Sequence, residues 1–419
     1  MTELTPLDQA RQIVLSHTQA IGLETVGLVD AVGRVAAADL AADIDNAPFH
    51  AAGMDGFAVR ASQLEGASEE HPVELDVIAE VAAGDYYEGG FEDGQCLRIM
   101  TGACVPDCAD SVVKYEIVGV VEGDGKPGSR VSFTAPVERG KNVRDTGEDA
   151  KAGEVVVHAG EVVNNAGAGF LASCGIVEVP TYRRPKVAII ATGSELVDPS
   201  EVPTKGKIRN SNSAAMAALA VEAGAIPTIL PIVRDSYDDL CSAVSDALKD
   251  FDCIVTTGGA ADGDFDFIKQ VVGNLGEVYL TAVNMRPGKS QTFGVVDGVP
   301  VFGLSGNPAA AYMGFQLLVR PVLRKMQGYS HFDRIEVTAK LSCDVKAKKD
   351  ARMTLARATL EKNGQGDYTV TPLKKQNSGL FGPLQHCNAL MIIPRGDVAH
   401  KAGDELSCMI LDIPEEVII

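Results

Sequence analysis

A chain of 419 residues exceeds what one ordinary hydrophobic core organises, so two to four domains are expected. Hydrophobic residues make up 46% and charged residues 22% of the sequence, which is typical of a globular protein and not of a disordered or fibrous one. The formal net charge of −20 argues against partners such as nucleic acid or an anionic membrane, so an anionic ligand needs locally placed Arg, Lys and backbone N–H groups.

The cysteines and the start of the chain indicate a cytoplasmic location. The nine cysteines are scattered without any Cys-x-x-Cys motif, and reduced, mostly buried thiols are therefore expected. The first segment, MTELTPLDQARQIVL, lacks the basic start and apolar core of a signal peptide. Since no apolar run approaches the roughly 18 residues of a membrane span, no membrane-spanning helix is expected either.

The first part of the chain combines a helix with short strands. Apolar positions at helical spacing predict a helix over residues 6–20 that begins at its proline. Residues 48–146 are short alternating runs broken by Gly, Pro and Asp, which predicts a small β domain. Mixed strand and helix patterns return over residues 147–182. We therefore expect a discontinuous N-terminal domain, made of residues 1–47 and 147–182, into which the β domain is inserted.

The pattern changes at Pro185, after which apolar strands alternate with helices. One of these helices follows Ser236, a candidate N-cap residue. The alternation predicts a doubly wound parallel sheet with helices on both faces over residues 183–328. Residues 329–419 revert to alternating strands and predict a small C-terminal β barrel or sandwich, of which we expect the barrel. The expected fold class is thus α/β and β multidomain.

Glycine turns follow three predicted strands of the central domain, at residues 192–195, 257–264 and 304–308. An open parallel sheet binds ligands beyond the carboxyl ends of its strands. Glycine lets the backbone approach a phosphate closely, and a following helix offers unpaired N–H groups. Because neither a Walker motif nor a G-x-G-x-x-G fingerprint occurs, an ordinary ATP or NAD site is not expected.

Charged residues lie in or beside these turns. The carboxylates are Glu195, Asp235, Asp264 and Asp266. Carboxylates at a phosphate site are explained by a bridging Mg²⁺, although Asp235 and Asp264 alternatively cap the helices that follow them. Arg286 and Lys289 flank a Pro-Gly turn, a suitable place for two cations aimed at one oxyanion, whereas most charged turns are simply solvated.

Together these segments resemble the molybdopterin molybdenumtransferase family, whose fold is that of the gephyrin C-terminal region. The resemblance covers essentially the whole chain. It rests on the ordered motifs GMDGFAVR (53–60), RIMTGA (98–103), NVRDTGEDAKAG (142–153), ATGSEL (191–196), IRNSN (208–212), TTGGAADGDFDF (256–267), MRPGKS (285–290) and GLSGNPAAA (303–311).

The resemblance implies an elongated subunit of four domains that forms a homodimer. It also implies a reaction in which adenylylated molybdopterin and molybdate give molybdenum cofactor and AMP with the assistance of Mg²⁺. Transient contacts with the molybdopterin adenylyltransferase and with molybdoenzymes are implied as further partners.

The family's site residues map onto this sequence as expectations. The catalytic residues are Asp55, Thr101, Asp149, Glu195 and Asp235. The first three belong to the inserted-domain side of a cleft between subunits. The metal ligands are Asp235, Asp264 and Asp266. Molybdate is held by Arg286 and Lys289, with Arg357 and Ser378 contributing from the C-terminal domain. The other substrate-binding residues are Gly193, Ser194, Ser211, Gly258, Gly259, Gly263, Gly288, Ser290, Gly306 and Asn307.

Several departures from the family motifs fall around the oxyanion pocket. Ala261 and Ala310 stand where the family has hydroxyl side chains, and Ser290 and Ser305 stand where it has prolines. Arg286 replaces a lysine, which keeps the charge but changes a point donor into a planar fork. The retained carboxylates favour an active transferase. The altered pocket leaves open a non-catalytic paralogue that binds or delivers molybdenum cofactor or an oxyanion, and a variant that inserts tungstate.

Overall fold

The computed structural model describes residues 4–258, 267–346, 350, 352–396 and 399–411. The chain divides into two compact units, one formed by Met1–Glu24 with Tyr182–Ile419 and the other by Thr25–Thr181. None of the helices in these described ranges is long and apolar enough to cross a membrane.

The helices of the described residues are α1 (Leu7–Ser16), α2 (Leu28–Ala31), α3 (Asn165–Ser173), α4 (Asn212–Glu222), α5 (Tyr237–Ala247), α6 (Phe267–Leu275), α7 (Pro308–Gly314), α8 (Arg320–Met326) and α9 (Gly382–Gln385). Single 3-10 turns lie at Ala61–Leu64 and Tyr115–Ile117, and a π-helical turn at Phe315–Val319 joins α7 to α8.

The strands of the first half are β1 (Leu23–Gly27), β2 (Leu40–Ala41), β3 (Ala51–Ala52), β4 (Gly56–Val59), β5 (Val73–Val81), β6 (Gln95–Ile99), β7 (Ser111–Lys114), β8 (Gly119–Glu122), β9 (Arg130–Phe133), β10 (Val143–Arg144), β11 (Val155–Val157), β12 (Glu178–Tyr182) and β13 (Lys186–Ala191). Those of the second half are β14 (Leu196–Val197), β15 (Ile208–Arg209), β16 (Ile226–Ile229), β17 (Cys253–Thr257), β18 (Glu277–Ala282), β19 (Met285–Arg286), β20 (Ser290–Val296), β21 (Val299–Leu304), β22 (Glu336–Leu341), β23 (Met353–Lys362), β24 (Tyr368–Pro372), β25 (Ala389–Ile393) and β26 (Glu405–Ile410).

The unit of Thr25–Thr181 contains a six-stranded sheet in the order β7-β4-β6-β5-β9-β8. Alternate residues of β4 enter different apolar clusters, Phe57 and Val59 on one face and Ala58 on the other. The flanking segments before and after this sheet pair with each other, since β2 lies antiparallel to β11. This pairing brings the two ends of the inserted segment together, while the exact domain boundaries stay a prediction.

The other unit is built around a six-stranded sheet in the order β16-β13-β17-β21-β20-β18. Strand β13 sends Val187 and Ile189 into a cluster with α4 and α8, and sends Ala188 and Ile190 into a cluster with α5 and α6. Apolar residues therefore follow one another without alternation in β13 because both faces of the sheet are covered by helices. The predicted doubly wound domain is confirmed.

One strand of this sheet runs against the others. Strand β20 is antiparallel to both β21 and β18, whereas β16, β13, β17 and β21 are parallel. The cause is a tight hairpin, because Asp297 and Gly298 both have positive φ, at 49° and 81°. An Asp-Gly pair between two apolar runs is a strong hairpin signal. The antiparallel direction of β20 was not among the expectations from the sequence.

The C-terminal strands close into a barrel in the order β23-β24-β22-β26-β25, with β25 pairing back onto β23. The expectation of a barrel is therefore confirmed over a sandwich. The short strand β19, which belongs to the chain of the central domain, adds to this sheet parallel to β23 and places Arg286 beside Thr354. As a result, the turn that follows β19 lies where the central domain meets the barrel.

Candidate functional site

The carboxyl ends of three central strands meet at one edge of the sheet. The N–H of Thr192, which follows β13, donates to the carbonyl of Thr257 at 2.9 Å, and the N–H of Gly258 donates to the carbonyl of Leu304 at 3.2 Å. The described parts of the three glycine turns are therefore neighbours, as the order of parallel strands requires.

Gly258 is placed so tightly that no other residue fits. Its φ of +92° lies in the left-handed region, and a Cβ atom added to it would lie 2.1 Å from the carbonyl oxygen of Thr192. A Cβ at Gly306 would lie 3.5 Å from the Cα of Gly258, an ordinary contact. The close approach of backbone to backbone at this edge thus depends on Gly258.

A cleft of about 750 Å³, which we call the loop cleft, opens over these turns. It is lined by Thr192, Gly193, Glu195, Leu196, Ile208, Arg209, Asn210, Ser211, Asn212, Asp235, Thr257, Gly258, Ser305, Gly306, Asn307, Pro308 and Gly379. Helices α4 and α7 begin at this cleft, and neither Ser211 nor Asn307 caps its helix with a side-chain hydrogen bond. The positive ends of the two helix dipoles therefore face a cleft suited to phosphate. At α7 the dipole acts without the first two N–H groups, because Pro308 has none and the N–H of Ala309 donates to the carbonyl of Ser378 at 2.9 Å.

Two polar atoms beside the loop cleft are buried without a hydrogen-bond partner among the described residues, Thr192 Oγ1 and Asn212 Oδ1. The amide nitrogen of Asn212 donates to the carbonyl of Gly306 at 3.0 Å, which fixes the direction of its oxygen. Buried polar atoms are normally paired in native proteins. Both side chains line the cleft, so a polar ligand there would satisfy them.

Asp235 and Glu195 are the carboxylates that line the loop cleft within the described part of the chain. Asp235 Oδ2 accepts a hydrogen bond from the N–H of Ser194 at 2.8 Å, and Lys207 Nζ donates to the carbonyl of Ser194. Ser194 therefore braces the turn and does not line the cleft. The helix that follows Asp235 is capped by Ser236, as predicted, through a hydrogen bond from the N–H of Asp239 at 3.4 Å.

Several expected residues cannot be placed. Gly259, Ala261, Gly263, Asp264 and Asp266 lie outside the described residues. Within the ranges that are described, no group of three or more His, Cys, Asp or Glu side chains that would hold a metal ion is found.

A second cleft of about 740 Å³, which we call the basic cleft, adjoins the first. It is lined by Arg286, Pro287, Gly288, Lys289, Ser290, Ser305, Asn307, Ala310, Arg352, Thr354, Leu355, Ala356, Gln376, Asn377 and Ser378. Ser305 and Asn307 line both clefts. The chain thus carries a glycine-rich cleft and a cationic cleft that share one wall.

The Pro-Gly turn of the basic cleft is held from behind by Gln291, which is fully buried. Its side-chain nitrogen donates to the carbonyls of Gly288 and Ala310, both at 3.3 Å. Gly288 has a φ of +103°, and a Cβ there would lie 2.8 Å from that nitrogen. Gln291 therefore sets the position of the turn that presents Arg286 and Lys289.

Arg286 and Arg352 share one carboxylate, Asp350. Arg286 Nη1 donates to Asp350 Oδ2 at 2.7 Å. Arg352 donates from Nε to Oδ1 at 2.9 Å and from Nη2 to Oδ2 at 2.8 Å, a bidentate pair. The hydrogen bonds from Arg352, with that from Arg286, hold the pKa of Asp350 well below its usual range.

The low pKa of Asp350 predicts a pH dependence of folding stability. A carboxylate with a depressed pKa in the folded state stabilises the fold above its ordinary pKa of 3.8, and loses that contribution as the pH falls towards the folded value. We expect Asp350→Asn to lower the free energy of unfolding by about 1 to 2 kcal/mol. The difference from the unaltered protein, measured by urea unfolding, should stay constant from about pH 7 to pH 5 and shrink only below about pH 4. A difference already shrinking between pH 7 and pH 5 would contradict this assignment.

Arg357 is not among the residues that line the basic cleft, and the expectation that it holds molybdate stays a prediction. Its side chain is only 1% exposed. Its guanidinium donates to the carbonyls of Asn377 at 3.1 Å and Leu380 at 3.2 Å, and its Nε donates to Gln376 Oε1 at 3.3 Å. Arg357 therefore holds the loop that carries Ser378, which does line the cleft.

Arg352, which the sequence analysis missed, is the arginine of the barrel that lines the cleft. It ends the run KAKKDAR at residues 346–352, directly before the apolar strand β23. A basic run entering a strand at a domain junction is the signal that would have singled it out. The sequence alone does not show that the Arg357 side chain faces the interior, because this depends on how the strands of the barrel pair.

Asp55, Thr101 and Asp149 all lie in the unit of Thr25–Thr181. Thr101 donates to Asp55 Oδ1 from its hydroxyl at 2.6 Å and from its N–H at 2.7 Å, which holds the pKa of Asp55 below its usual range. Asp149 Oδ2 accepts from Asn46 Nδ2 at 3.1 Å. Their place in a cleft between subunits stays a prediction.

Three sequence families match successive parts of the chain. Residues 5–175 match the MoeA N-terminal region (domain I and II), residues 188–325 match a probable molybdopterin binding domain, and residues 338–411 match the MoeA C-terminal region (domain IV).

Several proteins are similar to the chain along nearly their whole length. The molybdopterin molybdenumtransferase of Bacillus subtilis (strain 168) is 37% identical over 407 residues, which are 97% of this chain and 94% of that protein. The molybdopterin molybdenumtransferase of Staphylococcus aureus (strain COL) is 34% identical, covering 97% of this chain and 96% of that protein. A crystal structure of a molybdopterin biosynthesis MoeA protein from Pyrococcus horikoshii superposes with a TM-score of 0.83 at 31% identity, over 98% of this chain and 100% of that one.

Proposed function

The chain belongs to the molybdopterin molybdenumtransferase family, and from that premise we propose that it transfers molybdenum from molybdate to adenylylated molybdopterin, with release of AMP. The observation that carries the proposal is the pair of adjoining clefts. One offers glycine turns and two helix N-termini to phosphates, and the other offers cations to an oxyanion. A reaction between a nucleotide-linked pterin and molybdate needs both kinds of cleft side by side.

The loop cleft is the proposed site for the adenylylated pterin. The backbone at the start of α4, together with the close approach at Gly258, suits the phosphates that join pterin to nucleotide. The unpaired oxygens of Thr192 and Asn212 are suited to accept hydrogen bonds from N–H groups of the ligand, and the Thr192 hydroxyl can also donate one. Arg209, which also lines the cleft, brings a local positive charge to the anionic ligand.

Mg²⁺ is the proposed cofactor of the loop cleft. The donor set fits this ion, because Mg²⁺ takes one or two carboxylates together with phosphate oxygens, and Asp235 and Glu195 line the cleft. Asp264 and Asp266 are proposed to complete the set. When bound, Mg²⁺ would neutralise charge on the phosphates and ease the departure of AMP. The N–H of Ser194 donates to Asp235 Oδ2 and so limits the movement of the carboxylate that would hold the ion.

The basic cleft is the proposed site for molybdate. Arg286 and Lys289 supply charge, and the hydroxyls of Ser290, Ser305 and Ser378 line the same space. Ser290 and Ser305, which stand where the family has prolines, thus restore hydroxyl groups to the pocket. Because Ser305 and Asn307 line both clefts, molybdate is held next to the bound pterin, and the reaction gains from proximity.

We also propose that the chain acts as a cytoplasmic homodimer that exchanges substrate and product with the molybdopterin adenylyltransferase and molybdoenzymes. The resemblance of the whole chain to the family, which implies a homodimer and these partners, supports this proposal.

The proposed function is tested by incubating the purified protein with adenylylated molybdopterin, Mg²⁺ and molybdate, and following AMP by chromatography. We expect several AMP molecules per protein chain, and less AMP when molybdate is left out. AMP no higher than in a protein-free control would contradict the proposal and favour a binding protein without turnover.

Asp235→Asn is expected to lower the rate of AMP release at least tenfold, on the scale of about 1.4 kcal/mol per factor of ten. The amide keeps an oxygen for the N–H of Ser194 but removes the charge that holds Mg²⁺. Molybdate affinity, measured by calorimetry, should be unchanged. The matched control is Asp238→Asn, a neighbouring exposed carboxylate that does not line the cleft, and it should keep the full rate. Equal rates in both variants would remove Asp235 from the mechanism.

A further inference from the structure

The segment of residues 327–335, which we call the linker, leads from α8 of the central domain to β22 of the barrel. Two arginines of α8 hold its backbone. Arg320 Nη1 donates to the carbonyl of Phe332 at 2.7 Å, and Arg324 Nε donates to the carbonyl of His331 at 3.3 Å. Because its carbonyls are bound by side chains of the preceding helix, the linker is a fixed connection between the domains and not a hinge.

Arg334, near the end of the linker, joins three elements that are distant in the sequence. Its Nε donates to Gln316 Oε1 at 2.9 Å, its Nη1 donates to the carbonyl of Leu411, and its Nη2 donates to Glu222. The Arg334 side chain is 11% exposed, so these hydrogen bonds are shielded from water and are stronger than those of a surface arginine. One guanidinium thus ties the central domain to the end of the last barrel strand, β26.

The central-domain groups that Arg334 binds belong to the two helical segments that begin at the clefts. Glu222 is the last residue of α4, and Asn212 at the start of α4 lines the loop cleft. Gln316 belongs to the π-helical turn that continues α7, and Pro308 at the start of α7 lines the same cleft. At a rise of 1.5 Å per residue, Gln316 lies about 12 Å along the helix from Pro308.

The barrel is attached to the α7 segment at a second point, beside the clefts. The N–H of Ala309 donates to the carbonyl of Ser378 at 2.9 Å, and Ser378 belongs to the barrel loop that lines the basic cleft. Ala309 and Gln316 are therefore two points on one helical segment to which the barrel is tied, the second through Arg334. Two separate attachments fix the angle of the barrel, whereas one attachment would let the barrel tilt.

The acceptor of the Arg334 hydrogen bond, Gln316, is itself held on its other side. Its side chain is 2% exposed, and its Nε2 donates to the hydroxyl of Tyr312 at 3.4 Å. A buried amide is costly unless both of its ends are hydrogen-bonded. The network from Tyr312 through Gln316 to Arg334 therefore defines one arrangement of the π-helical turn against the linker, and π-helical turns are frequent near functional sites.

We infer that Arg334 is a positioning residue of the transfer reaction, which holds the barrel at the angle that brings the ligand of the basic cleft against the ligand of the loop cleft. This inference rests on the proposed function of the two clefts. Arg334 is not among the residues that line either cleft, so its contribution is to alignment and not to ligand binding. A reaction between two bound groups depends steeply on their alignment.

The first test is the steady-state rate of AMP release by Arg334→Met, which removes the hydrogen bonds but keeps much of the side-chain volume. We expect kcat to fall at least about tenfold while the KM values for molybdate and adenylylated molybdopterin stay unchanged, since each cleft still binds its own ligand. Arg334→Lys keeps the charge with a single donor nitrogen and should give a kcat between the two. An unchanged kcat, or a loss of activity that lies in KM alone, would overturn the inference.

The matched control is Arg324→Met, the same substitution in an arginine that braces the same linker. Arg324 donates to the carbonyl of His331 and lies over the ring of Tyr329, 3.8 Å from its centroid, and both of these residues belong to the linker. We expect this variant to unfold at a lower temperature and to keep the kcat of the unaltered protein. An equal fall of kcat in both variants would show that general loosening of the linker is the cause, and would overturn the particular role of Arg334.

Hydrogen exchange at the Ala309 amide tests the alignment without any turnover. Since this amide is bound to the barrel carbonyl of Ser378, we expect its exchange rate to rise about tenfold in Arg334→Met and to stay unchanged in Arg324→Met. If the unaltered protein releases no AMP, the proposed function fails, and this measurement still decides whether Arg334 sets the angle of the barrel. Unchanged exchange at Ala309 in Arg334→Met would overturn the inference.

Discussion

Replacing Arg357 with methionine is expected to destabilise the C-terminal barrel by about 3 kcal/mol or more, because the buried acceptors that the guanidinium satisfies are left without a donor. Those acceptors are the carbonyls of Asn377 and Leu380 and the side-chain oxygen of Gln376. Methionine fills much of the same volume as arginine. The loss of stability therefore comes mainly from the lost hydrogen bonds and less from an empty cavity. Hydrogen exchange of the β23 amides measures it locally, as is appropriate in a chain of several domains.

The control for Arg357→Met is Arg395→Met, which changes an exposed arginine in the same barrel. Surface substitutions of this kind usually stay within about 0.5 kcal/mol. If Arg357→Met instead leaves the exchange rates of β23 unchanged and weakens molybdate binding, Arg357 is a ligand and the loop 376–380 is placed wrongly.

Gly258→Ala is expected to cost about 3 kcal/mol or more in stability and to abolish AMP release. A methyl group at this position meets the Thr192 carbonyl at 2.1 Å, and the φ of +92° is unfavourable for alanine whatever the space. Relief of the clash requires the ends of β13 and β17 to separate, which opens the proposed phosphate site. Thermal unfolding and the AMP assay measure the two effects.

Gly306→Ala is the matched control for stability, since its added methyl group meets nothing closer than 3.5 Å. We expect its unfolding temperature to stay close to that of the unaltered protein. Equal unfolding temperatures for Gly258→Ala and Gly306→Ala would show that the two strand ends are less tightly packed than the structure describes.

The local predictions that the structure confirms depend on residues that are close together in the sequence. Ser236 caps α5 because its hydroxyl and the N–H of Asp239 lie within one helical turn. Helix α1 was predicted to begin at Pro6 and begins one residue later, at Leu7, although it ends at Ser16 and not at residue 20. Helix ends are harder to predict than helix starts here, since no glycine or proline marks the position.

The single antiparallel strand of the central sheet, β20, was not predicted, although the sequence carries a signal for it. Asp297 and Gly298 adopt the positive φ angles of a two-residue hairpin, which reverses the chain without a helix. The apolar segments before and after this Asp-Gly pair were interpreted as parallel strands from their composition alone. Composition does not distinguish a parallel buried strand from an antiparallel one.

The sequence by itself determined the family, the doubly wound core and the edge of the sheet at which glycine turns collect. These features depend on periodicity and on turn residues, both of which act over short distances along the chain. It also identified Arg286 and Lys289, because a Pro-Gly turn after a strand places both at the same edge.

Only the tertiary structure decided which arginine of the barrel reaches the cleft. Arg352 and Arg357 are five positions apart around β23, and their roles depend on which side chain faces the interior and where β19 joins the sheet. The partnership of Arg286 with Asp350 likewise spans 64 positions of sequence. Contacts of that separation are set by strand pairing and closure of the barrel, which no local pattern of residues encodes.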